Sequence, residues 1–289
     1  MKKLLIFILI SMMITLSACS QEKPNAQASG NNQEVSDNFV LVKGGMSKNK
    51  KSQLYNKKVK ISDFYIGKYE VTQKEWNDIM ESNPSQYKGD NLPVEMVNWY
   101  ECIEYCNKRS IKEGLEPYYN IDKNKKDPNN TSDLDDIKWT VTINSKANGY
   151  RLPTEVEWEY AASGGQESKN YTYSGSNNID DVAWYWINSG NKKLDGEWHW
   201  PKIQSNKNQT KPVGSKKPNE LGIYDMSGNV REWCWNWHGV ALENASGALR
   251  IWRGGCWLSD DKSCEVSFRG NFDPNGKGYD QGFRLCLNK

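Results

Sequence analysis

Cysteine and histidine are the residue types in this chain that could supply nucleophiles, redox centres or soft metal ligands. The 289 residues include seven cysteines and two histidines. His199 and His238 lie far apart in sequence and lack the short spacing of zinc ligands, so no zinc site is predicted. No general acid and base pair, no Ser/His/Asp arrangement and no phosphate-binding loop is recognisable. The chemistry open to the chain therefore rests on its cysteines.

The first cysteine, Cys19, follows a short apolar leader. Lys2 and Lys3 precede an apolar run that is too short to span a membrane, which is typical of a signal peptide over residues 1–18. The sequence Leu-Ser-Ala-Cys that ends at Cys19 resembles the lipobox of bacterial lipoproteins, where the cysteine is lipidated. We therefore predict an exported lipoprotein of the outer membrane, displayed at the cell surface and touching the membrane through its lipid alone.

Six cysteines remain after Cys19, an even number that makes disulfides possible in an exported protein. They are Cys102, Cys106, Cys234, Cys256, Cys264 and Cys286. Their sequence positions alone leave the connectivity open.

Composition divides the exported chain into a tether and one domain. Residues 19–37 are rich in Gln, Asn, Ser, Ala and Gly and lack an apolar period, so we predict a flexible tether. Residues 38–289 are predicted to form a single domain, for which 13 Trp and 15 Tyr supply ample core. Removing Lys2 and Lys3 with the leader leaves 36 bases against 36 acids. This neutral balance argues against a nucleic-acid partner.

Local signals place three helices and several short strands in the domain. Thr72 and Thr154 are each followed three residues later by Glu, which predicts capping boxes at two helix starts. Between them a helix is predicted from Asn98 to Gly114, and the Thr154 helix ends at Ser163. Residues 139–143 alternate as a strand, and residues 122–136 are predicted to be a polar surface insertion.

The C-terminal segment, residues 253–286, is long and irregular between two strand-like anchors. Its sequence is RGGCWLSDDKSCEVSFRGNFDPNGKGYDQGFRLC. Trp257, Phe283 and Leu285 fall in the anchors and are assigned to the core. An irregular segment held between regular anchors is where binding or chemistry is usually found.

Four motifs in this order resemble the formylglycine-generating-enzyme, or sulfatase-modifying factor, family. They are YRLPTEVEWEYAASGG, LGIYDMSGNVREW, RGGCW and GFRL, and the likeness extends from about Phe39 to Leu287. The resemblance implies an α+β, C-type-lectin-like fold of the formylglycine-generating-enzyme type. Such a domain has two main helices, small twisted antiparallel sheets and much irregular loop.

Enzymes of that family use two cysteines that hold copper. On the matching positions of this chain, Cys264 stands where the second cysteine belongs, whereas the first is replaced by Ser259. A hydroxyl is a poor ligand for Cu(I), so the resemblance implies no oxidase activity unless Cys256 substitutes through a rearranged loop. A divergent copper oxidase remains the alternative function, and a structural envelope lipoprotein with a fixed partner is a third.

A narrower resemblance is to the variable proteins of diversity-generating retroelements, whose C-terminal segment is rewritten at adenines, mostly in AAC codons. It implies a hypervariable site that binds an unknown protein or glycan. A few aromatic side chains among small polar ones are typical of binding surfaces, so residues 258–280 are expected to present exposed side chains. The predicted ligand-binding residues are Cys256, Leu258, Ser259, Asp260, Ser263, Phe268, Gly270, Asn271, Phe272, Asp273, Asn275, Gly276, Tyr279 and Asp280.

The family resemblance also implies sites outside the variable segment. Structural calcium would be held by Asn229, the Val230 carbonyl and Glu232, unless these residues only satisfy the backbone of a turn. No other cofactor is required. A disulfide would join Cys106 to Cys286, with Cys102 as the competing partner.

Three arginines of the C-terminal segment are expected to support the scaffold. Arg253, Arg269 and Arg284 should bond to carbonyl groups or to the acids Asp225 and Glu232.

Overall fold

The computed structural model describes residues 37–239 and 245–289, which belong to one compact unit. The predicted leader, Cys19 and the tether up to residue 36 lie outside the described residues. Within the described ranges, none of the helices combines the length and the apolar character that crossing a bilayer requires.

Five α-helices and nine short strands make up the regular structure of the described residues. The helices are α1 Gln73–Met80, α2 Trp99–Lys112, α3 Glu155–Ala162, α4 Ile179–Val182 and α5 Trp200–Ser205. The strands are β1 Phe39–Val42, β2 Phe64–Gly67, β3 Tyr119–Lys126, β4 Trp139–Ile143, β5 Arg231–Trp237, β6 Arg250–Arg253, β7 Gly270–Phe272, β8 Gln281–Gly282 and β9 Cys286–Asn288. Two 3-10 turns, Gly165–Glu167 and Lys262–Cys264, complete the set.

The strands form three small sheets. β1, β2 and β9 pair antiparallel in that order, and β3 pairs antiparallel with β4 as a separate ribbon. The third sheet has the order β7-β6-β5-β8, in which only β8 runs parallel to its neighbour. The C-terminal segment thus supplies an edge strand at each side of β5 and β6.

Capping boxes start the three longer helices. In each, the N-cap side chain accepts from the N3 backbone N–H and the N3 glutamate accepts from the N-cap N–H, which satisfies two otherwise free donors. The residue pairs are Thr72 and Glu75, Asn98 and Glu101, and Thr154 and Glu157. The two boxes predicted from the sequence are confirmed, and Asn98 is confirmed as the cap of α2.

Part of the stretch from residue 122 to 136 is more buried than its polar composition predicts. Its first part continues β3, which pairs with β4 as far as Lys126. Asn130 and Asp135 are buried, and the Asp135 carboxylate accepts from the Tyr100 hydroxyl at 2.7 Å and from the Asn130 amide at 2.6 Å. Most of the stretch is nevertheless exposed, as predicted for a surface insertion, and mutual hydrogen bonds explain why a few of its polar side chains can be buried.

The core is dominated by aromatic side chains that pack between α2, α3 and the sheets. Trp99, Trp158 and Trp233 are fully buried. Trp257, Phe283 and Leu285 are buried as the sequence predicts, so both ends of the C-terminal segment are fixed in the core.

Candidate ligand-binding site

Arg253 fixes the start of the C-terminal segment. Its guanidinium is fully buried, pairs with Glu159 of α3, and donates to the carbonyl oxygens of Val266 at 3.1 Å and Phe268 at 2.6 Å. One side chain therefore joins α3 to the middle of the irregular loop. A buried charge of this kind is stable only because carboxylate and carbonyl acceptors surround it.

The two other predicted scaffold arginines also pair with buried acids. Arg284 donates to both oxygens of Glu232 at 2.6 Å, as the sequence predicts. Arg269 instead reaches Glu155 of α3, with Nε 2.6 Å from Oε1. Asp225 takes no part in these pairs, because its carboxylate accepts from the Gly214 backbone N–H at 2.6 Å. The acids of α3 were missed because nothing local links them to the C-terminal segment.

An aromatic surface forms where the C-terminal segment meets the start of α5 and the residues just before it. We call it the aromatic patch and define it as Tyr87, Trp198, Trp200, Leu258 and Tyr279. The Trp198 indole is 47% exposed and donates to the Leu258 carbonyl at 2.7 Å. The Trp200 and Tyr279 rings stack with centroids 6.4 Å apart. Two of these five residues belong to the predicted variable set.

Trp257 supports the aromatic patch from the core side. Its ring lies 5.7 Å from that of Tyr279 and 5.5 Å from that of Tyr87. Its indole N–H donates to the Tyr279 carbonyl at 3.1 Å, and its own carbonyl accepts from Ser189 at 2.7 Å. The patch therefore rests on a buried, hydrogen-bonded ring and is preorganised.

Trp198 and Trp200 were not found by the sequence reasoning. They lie about 60 residues before the variable segment, so only the fold brings them to Leu258 and Tyr279. The available signal was a pair of tryptophans around His199 in an otherwise polar stretch. A large apolar side chain in such a stretch indicates either a core anchor or a contact surface.

Other residues of the predicted ligand-binding set are accessible on and around the β7-β6-β5-β8 sheet. Phe272 is 41% exposed and stacks on Trp233 at 6.2 Å, and Phe268 lies against Trp252 at 5.7 Å. Asp260 is also exposed, while Leu258, Ser263, Phe268, Asn271, Asn275, Gly276 and Tyr279 are partly exposed. These nine residues can meet a ligand without any change in the backbone.

Five residues of the predicted ligand-binding set are buried, which corrects their assignment as exposed side chains. They are Cys256, Ser259, Gly270, Asp273 and Asp280. Asp280 pairs with Arg231 at 2.8 Å, and Asp273 accepts from Ser132 at 2.6 Å. A side chain on Gly270 would meet the Trp252 ring at 2.1 Å. Because the irregular segment has no hydrophobic periodicity, its sequence does not show which of its residues face the core and which face solvent.

The positions that match the copper cysteines hold a compact polar cluster. Cys256 Sγ lies 3.2 Å from Ser259 Oγ and 3.6 Å from an Asp280 oxygen. Burial raises the pKa of Cys256 to about 11 and also raises the pKa of Cys264. Because copper binds the thiolate and not the thiol, these protonated and buried groups fit a copper site poorly.

The residues implied for calcium are engaged by other parts of the protein. Glu232 accepts from Arg284 and from the Trp158 indole at 2.6 Å. The Asn229 side chain donates to Glu70 at 2.6 Å and accepts from the Lys211 backbone at 2.9 Å. Every side-chain oxygen of Asn229 and Glu232 thus already accepts a hydrogen bond, and Arg284 neutralises Glu232, so these two residues fit a calcium ion poorly.

All six cysteines of the described residues are buried thiols, and none forms a disulfide in the structure. Burial raises the pKa of the Cys286 thiol. The disulfide predicted between Cys106 and Cys286 is not formed in the structure and stays a prediction. Across the described ranges, no group of three or more His, Cys, Asp or Glu could hold a metal ion.

This fold, with its C-terminal segment fixed by arginines, defines an α+β domain of the C-type-lectin-like, formylglycine-generating-enzyme type. The chain belongs to the sulfatase-modifying factor enzyme 1-like domain family, whose sequence profile matches residues 24–289. The predicted fold class and family are therefore confirmed.

Individual relatives carry different names. The chain is 60% identical over 289 residues to "Chaperone protein LppX" of Paenibacillus barcinonensis, covering 100% of both chains. It resembles the solved structure of Treponema denticola variable protein 1, with 33% identity, a TM-score of 0.70, and coverage of 87% of this chain and 94% of that one. The formylglycine-generating enzyme of Streptomyces coelicolor is 31% identical over 171 residues, which are 53% of this chain and 51% of that enzyme. The chain thus spans about half the length of that enzyme.

Proposed function

We propose that this chain is a binding protein without catalytic activity, and that the aromatic patch holds an extended segment of a partner protein. The observation that carries the proposal is the patch itself. Trp198 exposes ring surface while its indole N–H donates to the Leu258 carbonyl, and Tyr279 is partly exposed while its backbone carbonyl accepts from the Trp257 indole. Rigid aromatic side chains bind at a low cost in conformational entropy.

The relatives support a protein partner over a glycan. A chain that is 60% identical over its whole length is named a chaperone, and a chaperone acts on other polypeptides. The aromatic patch also lacks the converging charged groups of a catalytic site, and the broken cysteine pair at Ser259 supports binding over oxidation. The divergent copper oxidase is therefore not the function proposed.

Two further features belong to this proposal. Lipidation at Cys19 would tether the domain to the membrane, with the outer membrane and the cell surface as the expected location. The exposed residues of the variable set would be diversified by a retroelement. This requires a second copy of the DNA that encodes the C-terminal segment. The copy should differ from the gene only at adenines and lie close to a reverse-transcriptase gene. A copy that differs at all four bases alike contradicts diversification but leaves the binding role intact.

The binding role is tested with the full chain in detergent. The probe is reduced and carboxymethylated α-lactalbumin, which offers extended segments, and a glycan array serves as the contrasting ligand set. We expect the double variant Trp198→Ala with Tyr279→Ala to weaken binding of the unfolded probe at least about tenfold. The control is Leu134→Ala, which removes an apolar side chain that is 78% exposed outside the patch. Unchanged binding by the double variant, or binding to glycans alone, contradicts the proposal.

A further inference from the structure

Arg250 differs from the other arginines in having no acidic partner among the described residues. Six of the seven arginines form an ion pair with a carboxylate: Arg109, Arg151, Arg231, Arg253, Arg269 and Arg284. Arg250 is only 4% exposed, yet no carboxylate of the described residues lies within ion-pair distance of it. A buried charge without a counter-ion is expensive, so this exception needs an explanation.

Three tryptophans surround the Arg250 guanidinium. Its central carbon lies 3.4 Å from the ring centroid of Trp237, 3.9 Å from that of Trp99 and 5.2 Å from that of Trp235. The rings cover the flat faces of the group but accept none of its in-plane N–H bonds. Nη1 donates to the Trp235 carbonyl at 2.6 Å, whereas Nε has no partner in the described residues.

A groove of about 340 Å³ opens beside Arg250, between the β3–β4 ribbon and β5. Lys125, Asn129 and Thr140 of the ribbon line it opposite Trp237. Among the described residues that line it, the one acid is Asp127, whose carboxylate accepts from the Asn129 backbone N–H at 2.9 Å. The groove therefore offers two cationic side chains, two threonines and amide groups against one acid that is already engaged.

We propose that this groove binds a carboxylate group, which approaches the in-plane edge of the Arg250 guanidinium. A guanidinium with covered faces and a free edge presents paired N–H donors that match the two oxygens of a carboxylate. Lys125 and Thr140 lie where they would contact the rest of the ligand. The carboxylate comes either from a small organic acid or from the carboxyl terminus of a peptide.

Burial lowers the pKa of Arg250 to about 9. The nearby Tyr100, Asp127 and Asp135 oppose this fall but do not cancel it. A bound carboxylate would supply the missing charge. The site is separate from the aromatic patch, so its test is independent of the proposed partner binding.

The experiment is a calorimetric titration of the full chain in detergent, with a melting curve as second readout. The probes are acetate, the dipeptide N-acetyl-Ala-Ala with a free carboxyl terminus, and the same dipeptide as its amide. We expect the free acid to bind and the amide not to bind. Comparable binding by acetate indicates a small organic acid, and much stronger binding by the dipeptide indicates a peptide terminus. Failure of both acids to bind overturns the proposal.

Variants locate the binding within the groove. Arg250→Gln should lower the affinity for the free acid at least about tenfold. Arg250→Lys should lower this affinity as well, because lysine lacks the forked pair of N–H donors of the guanidinium. If Arg250→Gln does not fold, Lys125→Ala at the rim should still lower the affinity about three- to tenfold. If the single variants Lys125→Ala and Arg250→Lys both bind the free acid with the affinity of the unaltered chain, the assignment is contradicted.

A carboxylate of the chain itself is the competing explanation. Glu243 belongs to residues 240–244, which lie outside the described ranges. Affinity for the free acid should be the same in Glu243→Gln as in the unaltered chain. Binding that appears only in Glu243→Gln would show that Glu243 is the natural partner of Arg250, and the proposal would fail.

Discussion

Arg284 and Glu232 face each other through two hydrogen bonds of 2.6 Å, although both side chains are completely inaccessible to solvent. The pair joins β5 to the chain just before β9. Arg284 also donates to the Gly67 carbonyl at 3.0 Å, so the same group reaches β2. Two of the three sheets are thus connected through one guanidinium.

Loss of the Glu232 charge should destabilise the protein strongly. Glu232→Gln leaves the buried guanidinium without its counter-ion, and the free energy of unfolding should fall by about 3–5 kcal/mol. Urea denaturation followed by circular dichroism measures the change. Lys74→Ala is the control, because its pair with Asp78 is exposed and contributes no more than about 1 kcal/mol. A loss below about 1 kcal/mol for Glu232→Gln would contradict the structure.

Stability should depend on pH through Glu95. Burial raises the pKa of this carboxyl to about 7, partly opposed by a hydrogen bond from the Tyr87 backbone N–H. The folded state therefore holds a proton more tightly than the unfolded state does, and stability falls as pH rises from about 4.5 to about 7.

The variant Glu95→Gln isolates this effect. We expect it to be more stable than the unaltered chain at pH 8, by on the order of 1–2 kcal/mol after allowance for solvent screening, and little changed at pH 4. Urea midpoints at the two pH values provide the measurement. A variant that loses stability equally at both pH values would show that the carboxyl acts only through its hydrogen bonds.

Copper should bind weakly at the position of the family's cysteine pair. Ser259 replaces one thiol, and the raised pKa values of Cys256 and Cys264 disfavour the thiolates that Cu(I) requires. Titration of the reduced protein in competition with a Cu(I) chelator measures the affinity. Tight binding of one copper ion per chain that disappears in Cys264→Ser would instead support the oxidase alternative.

The thiols should react with a maleimide only after unfolding. All six cysteines of the described residues are buried, and burial raises the thiol pKa of both Cys106 and Cys286. Mass spectrometry after labelling in urea without reductant counts the free thiols. The free thiols of the structure predict six labels on these residues. Four labels that become six after reduction would establish one disulfide, and peptide mapping would show whether it joins Cys106 to Cys286.

Features encoded locally could be predicted from the sequence. The capping boxes at Thr72 and Thr154 need only residues three positions apart, and the strand at 139–143 needs only alternation. Trp257 and Phe283 could be assigned to the core because they lie in the family's anchoring motifs. The fold class followed from the order of those motifs.

Features created by tertiary contacts could not be predicted in the same way. Trp198 meets Leu258 only in the folded chain, so half of the aromatic patch lies outside the segment that the sequence indicated. Glu155 and Glu159 have no sequence feature that sets them apart from other helical glutamates, so their ion pairs with Arg269 and Arg253 could not be predicted. Asp280 and Ser259 were assigned to the surface because burial in an irregular loop depends on neighbours that are distant in sequence.

The pairing of β9 with β2 also bears on how the domain folds. Tyr65 is opposite Leu287, so the third strand of the first sheet comes from the far end of the described residues. Contacts between residues so distant in sequence form slowly, because the intervening chain must first be ordered. The helices α1 to α3, which need only local hydrogen bonds, are therefore expected to form before the first sheet is complete.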